Sequence, residues 1–119
     1  MDPRHLQRIK IVQNLYAQSF NELNHNLPYP EEVKTGKIIA KLKTIDRYIK
    51  TYAPRYPIQN IAKTDLSILR LSIYELIYEK KTPKKVAIDE AVELAKEMSG
   101  EKAYAFINAV LGKILESHP

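Results

Sequence analysis

The sequence predicts an all-α protein, and three observations predict it. Apolar residues recur at spacings of three and four along most of the chain. Glycine is scarce, at three residues, and no Asn-Gly or Asp-Gly hairpin signal occurs. The first helix is expected from about Arg4 to Leu23, with Leu6, Ile9, Val12, Leu15, Tyr16, Ser19/Phe20 and Leu23 in one continuous apolar stripe. Pro3 suits its first turn, where a missing N–H costs nothing. Asn24 to Pro30, with Asn-His-Asn and two prolines, ends that helix in a loop. A second helical stretch, starting near Pro30 or after Gly36, carries Ile38, Leu42, Ile45, Ile49 and Tyr52, with lysines on its other faces; Pro54 and Pro57 stop it. A short helical turn near Ile58–Ile61 follows, and Thr64 is the expected N-cap of the next helix. That helix, Asp65 to about Glu79, is apolar almost all round through Leu66, Ile68, Leu69, Leu71, Ile73, Leu76 and Ile77, the pattern of a central helix packed on several sides. Lys80-Lys81-Thr82-Pro83 leads out of it. The Val86–Met98 helix turns Ile88, Ala91, Val92 and Ala95 inward, with Gly100 suited to its C′ position. The last helix, about Lys102 to Leu115, packs through Ala103, Phe106, Ile107, Val110, Leu111 and Ile114.

At 119 residues, one domain spanning residues 1–119 is expected, long enough to bury roughly two-thirds of its unfolded surface. There is no cysteine, and His5, His25 and His118 are scattered, so neither a metal nor another cofactor is expected. No apolar run reaches signal-peptide length or the roughly 20 residues of a membrane span. The expectation is a soluble, cytoplasmic protein without membrane contact. Net charge is +5, from 19 Lys and Arg against 14 Asp and Glu, which favours polyanions without selecting RNA. Its distribution says more. Lys34 to Lys50 holds six basic residues and one acid, Asp46, whereas Asp89 to Glu101 holds five acids and one base, Lys96. One face can therefore meet phosphate while another meets a basic partner.

The inventory argues against an enzyme: there is no glycine-rich phosphate loop, no cysteine and no HExxH. Glu90, Glu93 and Glu97 lie at i, i+3 and i+7, which reads as a solvated helix face rather than a catalytic cluster. Arg70 differs, because it sits in the most apolar helix. A guanidinium buried without a partner is prohibitive, so a structural ion pair with Asp46 or Glu90 is expected. Asn108 also interrupts an apolar helix, where its amide serves structure or a ligand with equal ease. The first helix sets Arg4, His5, Arg8 and Lys10, with Gln13 and Asn14, away from its apolar stripe. Such groups suit phosphate positioning and base-edge hydrogen bonds in single-stranded RNA, although an ordinary solvated face has the same composition.

Three blocks then carry a resemblance. They are Asp65-Leu-Ser-Ile-Leu-Arg-Leu-Ser-Ile-Tyr-Glu-Leu76, Val86-Ala-Ile-Asp-Glu-Ala-Val-Glu-Leu-Ala-Lys96 and Phe106-Ile-Asn-Ala-Val-Leu111. In order and nearly in residue they are similar to the Leu-Arg…Tyr-Glu-Leu, Ala-Ile-Asn-Glu-Ala-Val-Glu-Leu-Ala-Lys and Phe-Val-Asn-Gly-Val-Leu segments of the NusB family of transcription antitermination factors. Arg8-Ile-Lys-Ile-Val-Gln-Asn-Leu-Tyr16 resembles that family's arginine-rich first helix. The likeness covers nearly the whole chain and is most specific from Thr64 onward. It implies two packed helical bundles of about six to seven helices. It also implies binding of single-stranded boxA-type RNA together with the small-subunit ribosomal protein NusE, in a complex that joins the RNA polymerase elongation complex on ribosomal RNA operons.

Carried onto this chain, the resemblance points to Arg4, His5, Arg8 and Lys10, then Lys102 and Phe106, for RNA. It points to Tyr16 and Asp65 for NusE. Arg70, Glu90 and Asn108 are the expected structural polar residues. Leu6 and Gln7 thin the basic cluster, Asp89 stands where Asn is usual, and Ala109 and Gly112 replace Gly and Asp. These departures bear on RNA affinity more than on fold. The alternative within the same fold is a helical adaptor in ribosomal RNA maturation, or one that binds protein only.

Overall fold

The computed structural model describes residues 2–20 and 26–119, and among them it contains helices and no strand. The α-helices are α1 (Pro3–Phe20), α2 (Lys34–Ala40), α3 (Leu42–Tyr52), α4 (Lys63–Ile73), α5 (Lys84–Met98) and α6 (Glu101–Ser117). A 3₁₀ turn at Ile58–Asn60 precedes α4, and α4 continues into a π-helical stretch, Tyr74–Glu79. The expected end of α1 at Leu23, and the loop from Asn24 with His25, lie outside the described residues. No helix among the described residues is long and apolar enough to cross a membrane.

α4 is the common support. Every residue from Leu66 to Ile73 is buried, as an all-round apolar sequence requires. α1, α3, α5 and α6 all pack on it. Ile11 and Leu15 from α1, Ile45 and Ile49 from α3, Leu94 from α5, and Ile107 and Ile114 from α6 join it in one hydrophobic cluster. Each such side chain contributes about 1.5–3 kcal/mol on leaving water. α5 and α6 form a hairpin through Ser99 and Gly100. Gly100 has φ 119°, a conformation that a Cβ disfavours, and its N–H returns to the Ala95 carbonyl at 3.0 Å.

Helix boundaries differ from expectation at three places. The second helical stretch is two helices. Lys41 (φ −109°, ψ 8°) donates its N–H to the Ile38 carbonyl at 2.9 Å, a three-residue step that breaks the α-helical ladder. α4 starts at Lys63, with extended Ala62 (ψ 136°) in the N-cap position, so Thr64 lies inside the first turn. Beyond Ile73 the ladder widens. Lys80, left-handed at φ 57°, donates to the Glu75 carbonyl at 3.0 Å, a five-residue return. This stretch buries Glu75 and Leu76, and leaves Tyr74 and Tyr78 stacked with centroids 5.9 Å apart.

α1 departs most. Of its expected apolar stripe, Leu6, Tyr16 and Phe20 are 43, 42 and 61 % exposed, while Arg8, Asn14 and Gln18 are buried beside Ile11, Val12 and Leu15. Two of these polar groups are matched with care. Arg8 donates Nε to Glu75 Oε1 at 2.9 Å and Nη2 to Oε2 at 3.1 Å. Asn14 donates Nδ2 to the Tyr29 carbonyl (2.8 Å) and Thr35 Oγ1 (2.9 Å), and accepts the Tyr29 N–H at 2.8 Å. It thereby pins the segment leading into α2 against α1. Arg70 makes a similar fork with Asp46, Nε to Oδ1 at 3.0 Å and Nη2 to Oδ2 at 2.9 Å. Glu90, the other expected counter-ion of Arg70, turns toward α1 instead. Asn108, expected as a structural polar residue, is exposed instead, because the inward face of α6 is filled by Ile107, Val110 and Leu111.

The Arg8–Glu75 fork yields a stability test. Glu75→Leu leaves a buried guanidinium without a counter-ion and should cost about 3–5 kcal/mol, whereas Arg8→Met combined with Glu75→Leu recovers most of it. Urea unfolding of the two variants checks this; equal losses in both would contradict it.

Candidate nucleic-acid interface

The start of α1 crosses α5 and the turn that follows the π-helical stretch. Glu90 and Glu97 are seven residues apart on α5, two turns on one face. His5 fits between them, with Nδ1 2.8 Å from Glu90 Oε2 and Nε2 3.0 Å from both Glu97 oxygens. Both ring nitrogens face acceptors, which only the imidazolium satisfies as a double donor. The hydrogen bond to Glu90, then that to Glu97, raise the His5 pKa above its ordinary 6.5, with burial acting against them. One turn on, Arg8 also lies 3.7 Å from Glu90 and donates to Thr82 Oγ1 at 3.4 Å. Burial lowers the Arg8 pKa, but hydrogen bonding and attraction to Glu75 outweigh it and the charge is held.

These contacts revise the basic cluster read from the sequence. His5 and Arg8, expected as RNA contacts on a solvated face, are engaged by the chain's own carboxylates. The Glu90–Glu97 stripe, expected in solvent, forms part of that clasp. The acids come from elements 67 to 92 residues away, beyond the reach of any local pattern. Lys10 lies over the Tyr29 ring at 5.6 Å. Arg4 is exposed, and no ion pair among the described residues occupies its guanidinium. It borders a groove of ≈350 Å³ with Arg8, Lys34 and Lys81. Lys34 is paired with Glu79 at 3.0 Å.

The other end of α1 is organised differently. α1 runs antiparallel to α4: Arg8 meets Glu75 near one end, and Lys63 lies over the Phe20 ring at 5.2 Å near the other. Tyr16 is exposed and meets Phe20 edge-on, centroids 4.9 Å apart. Asp65 follows Lys63 by two residues, so Tyr16 and Asp65 sit at the same end of the helix pair. Asp65 Oδ1 is buried and has no hydrogen-bond partner. Its residue lines a cleft of ≈530 Å³ between the starts of α4 and α6, with Tyr56, Gly100, Lys102 and Phe106. Tyr56 meets Phe106 edge-on at 4.9 Å. α6 has no side-chain cap on its first turn, where the Ala103 N–H returns to the Gly100 carbonyl at 3.3 Å, and that turn presents the positive end of the helix dipole. Two rings, an acceptor, an exposed ammonium and a helix start thus converge on one cleft.

The structure therefore brings Asp65, Lys102 and Phe106 together; Tyr16 does not line this cleft and pairs instead with Phe20, under Lys63 from the start of α4. Arg4, His5, Arg8 and Lys10 lie toward the other end of α1; Arg4 and Tyr16 are about 18 Å apart along the axis. Sequence reasoning assigned no site role to Tyr56, Phe20 or Lys81, and it marked Lys34 only as the start of a cationic segment. A tyrosine beside a proline turn and an aromatic residue near a helix end are weak signals for the first two; nothing local marks Lys81. Among the described residues no group of acids or histidines could hold a metal ion.

The His5 clasp makes stability depend on pH. A pKa raised in the folded state stabilises fully below the unfolded value, near 6.5, and that contribution is lost as pH rises through the folded value. The stability difference between the unaltered chain and His5→Gln should therefore shrink from pH 5.5 toward pH 8.5. Denaturant titrations across that range check the sign, and a difference that grows with pH would refute it.

Comparison with known proteins follows the same lines. The NusB family model matches residues 6–116. The transcription antitermination protein NusB of Natranaerobius thermophilus is 38% identical over 103 residues, covering 87% of this chain and 74% of that protein. NusB of Clostridium botulinum is 52% identical over 90 residues, covering 76% of this chain and 63% of that protein. Among solved structures, T. maritima NusB superposes with a TM-score of 0.81 at 27% identity, over 98% of this chain and 92% of that one. A crystal structure of antitermination factors NusB and NusE in complex with dsRNA shares the fold, with a TM-score of 0.82 at 23% identity over 97% of each chain. A family match over residues 6–116, with relatives 38% and 52% identical and the same fold in a solved member, means that this chain belongs to the NusB family.

Proposed function

We propose that this chain is a cytoplasmic transcription antitermination factor that acts as one binding domain over residues 1–119. In this reading it binds boxA-type RNA together with NusE and joins the RNA polymerase elongation complex on ribosomal RNA operons. It is a binding protein, not an enzyme. The observation that carries the reading is the α4–α6 cleft. A base stacked on Phe106 or Tyr56 gains from any sequence, since every base has a π-face. Asp65 lines the same cleft; its Oδ1 is buried, so its other carboxylate oxygen is the one placed to accept a base N–H and add selection. Lys102 and the uncapped start of α6 suit the phosphate beside that base. Near the start of α4, where Lys63 lies over Phe20, Tyr16 and Phe20 give an exposed aromatic pair of the kind that anchors protein interfaces, supporting NusE at this end of α1. The NusB–NusE–dsRNA complex with the same fold supports the pairing of the two ligands.

Arg4 serves phosphate at the far end of α1. Arg8 and His5 support that end chiefly by holding α1 in place.

Phe106→Ala should weaken boxA-type RNA by roughly 5- to 150-fold, the range of one lost base–aromatic stack at about 1–3 kcal/mol. Arg4→Glu should weaken it less and flatten its salt dependence. Anisotropy titrations with and without NusE test both; affinity unchanged in the two variants would sink the assignment. Tyr16→Asp, on an exposed position, should leave circular dichroism unchanged and reduce NusE affinity by about 30-fold, the scale of a 2 kcal/mol anchor. Calorimetry showing full NusE affinity would move the interface elsewhere.

A further inference from the structure

α3 carries a face that none of the contacts above uses. From Lys34 to Arg55 the chain has seven cations and one acid, Asp46, and Arg70 occupies that acid. Ile45 and Ile49 turn into the core, which leaves Lys43, Arg47 and Lys50 exposed on the other side of α3. At i, i+4 and i+7 they form a ladder whose rungs are about 6 and 4.5 Å apart along the axis. None of the three has an ion-pair partner among the described residues. The ladder does not end in open solvent. Its next position, Pro54, lines a groove of ≈540 Å³ between the end of α3 and α6, where Arg55 and Lys113 add two more exposed cations. Tyr56 and Phe106 line this groove and also the α4–α6 cleft. A path of one charge sign therefore runs from the middle of α3 to the aromatic pair.

We propose that the Lys43–Arg47–Lys50 ladder and the Arg55–Lys113 groove form a sequence-independent track for the phosphate backbone of single-stranded RNA, carrying strand that extends beyond the cleft; only the choice of RNA as ligand rests on the function proposed above. A protein partner fits this face poorly. No large hydrophobic side chain is exposed along the ladder itself, between Lys34 and Arg55, and the exposed ring of the groove, Tyr56, lies at its far end against Phe106, so the ladder lacks the apolar anchors of a protein interface. Phosphates need no such anchor, and regularly spaced cations serve them without reading sequence.

A long oligouridine, which carries no specific element, is the probe, titrated by anisotropy against the full chain over a range of salt. Replacing Lys43, Arg47 and Lys50 together by Gln removes three phosphate contacts. The slope of log affinity against log salt should fall by about 2, at roughly 0.7 per contact for a single strand. Phe106→Ala should leave the slope unchanged, since stacking releases no counterions. Circular dichroism of the triple variant should match the unaltered chain, because all three side chains are exposed. An unchanged slope in the triple variant overturns the track, as does the absence of oligouridine binding by the unaltered chain at low salt. Displacement of oligouridine by an equal charge of polyglutamate would assign the face to acidic protein and overturn it too. Failure of boxA-type RNA alone, with oligouridine behaving as stated, would remove the specific function and leave the track standing.

Discussion

The bidentate pair between Arg8 and Glu75 sets the geometry on which both ends of α1 depend. Glu75 reaches inward because the backbone widens into a π-helical stretch at Tyr74–Glu79. Arg8 meets it with two parallel hydrogen bonds in surroundings that leave its side chain 10% and that of Glu75 2% exposed. Two ions out of water impose a large desolvation cost, and only a satisfied fork offsets it. The α1–α4 packing is thereby restricted in register as well as direction: a slip by one residue would separate the fork. Lys63 then falls over Phe20 and Tyr16 falls beside the start of α4. Hydrophobic burial supplies most of the driving force, but Ile11, Val12 and Leu15 are less selective about register than a pair of charges.

The second fork, Arg70 with Asp46, acts on the opposite flank of α4 and fixes α3. It also removes the one acid from an otherwise cationic segment, so the outer face of α3 is uniform in sign. The clasp of His5 by Glu90 and Glu97 works in the reverse sense, drawing two acids of α5 onto a cation. Internal pairing thus decides which charges remain available outside. Arg4, Lys43, Arg47 and Lys50 remain available; Arg8 and Arg70 do not. A binding surface in this fold is what is left after the buried pairs have been formed.

Much of the fold was legible from periodicity. The all-round apolar run Leu66–Ile73 announced a central helix and is buried throughout. Gly100 marked the α5–α6 corner through its accessible positive φ. α1 was misread because Leu6, Tyr16 and Phe20 were assigned to the core by hydrophobicity, whereas Arg8 and Asn14 occupy part of its buried face. A periodicity argument ranks side chains by their cost in apolar surroundings, and it cannot know that Glu75, Tyr29 and Thr35 will be there to satisfy them. The break at Lys41 and the widened turn after Ile73 were hidden for a related reason. Each leaves the apolar pattern intact while changing the hydrogen-bond ladder beneath it.

The sequence by itself determined the helical class, the identity and order of the main core segments, the segregation of charge between α2–α3 and α5, and the family to which the chain belongs. These properties depend on residue types at short separations, where helix geometry is local and repeats along the chain. Only the tertiary structure decided which charges are internal and which are free. It joined Asp65, Lys102, Phe106 and Tyr56 in one cleft, and drew His5 between Glu90 and Glu97. The partners in those arrangements lie tens of residues apart, and the energy of an ion pair or an aromatic contact depends on distance and solvent in three dimensions. No local pattern carries that information.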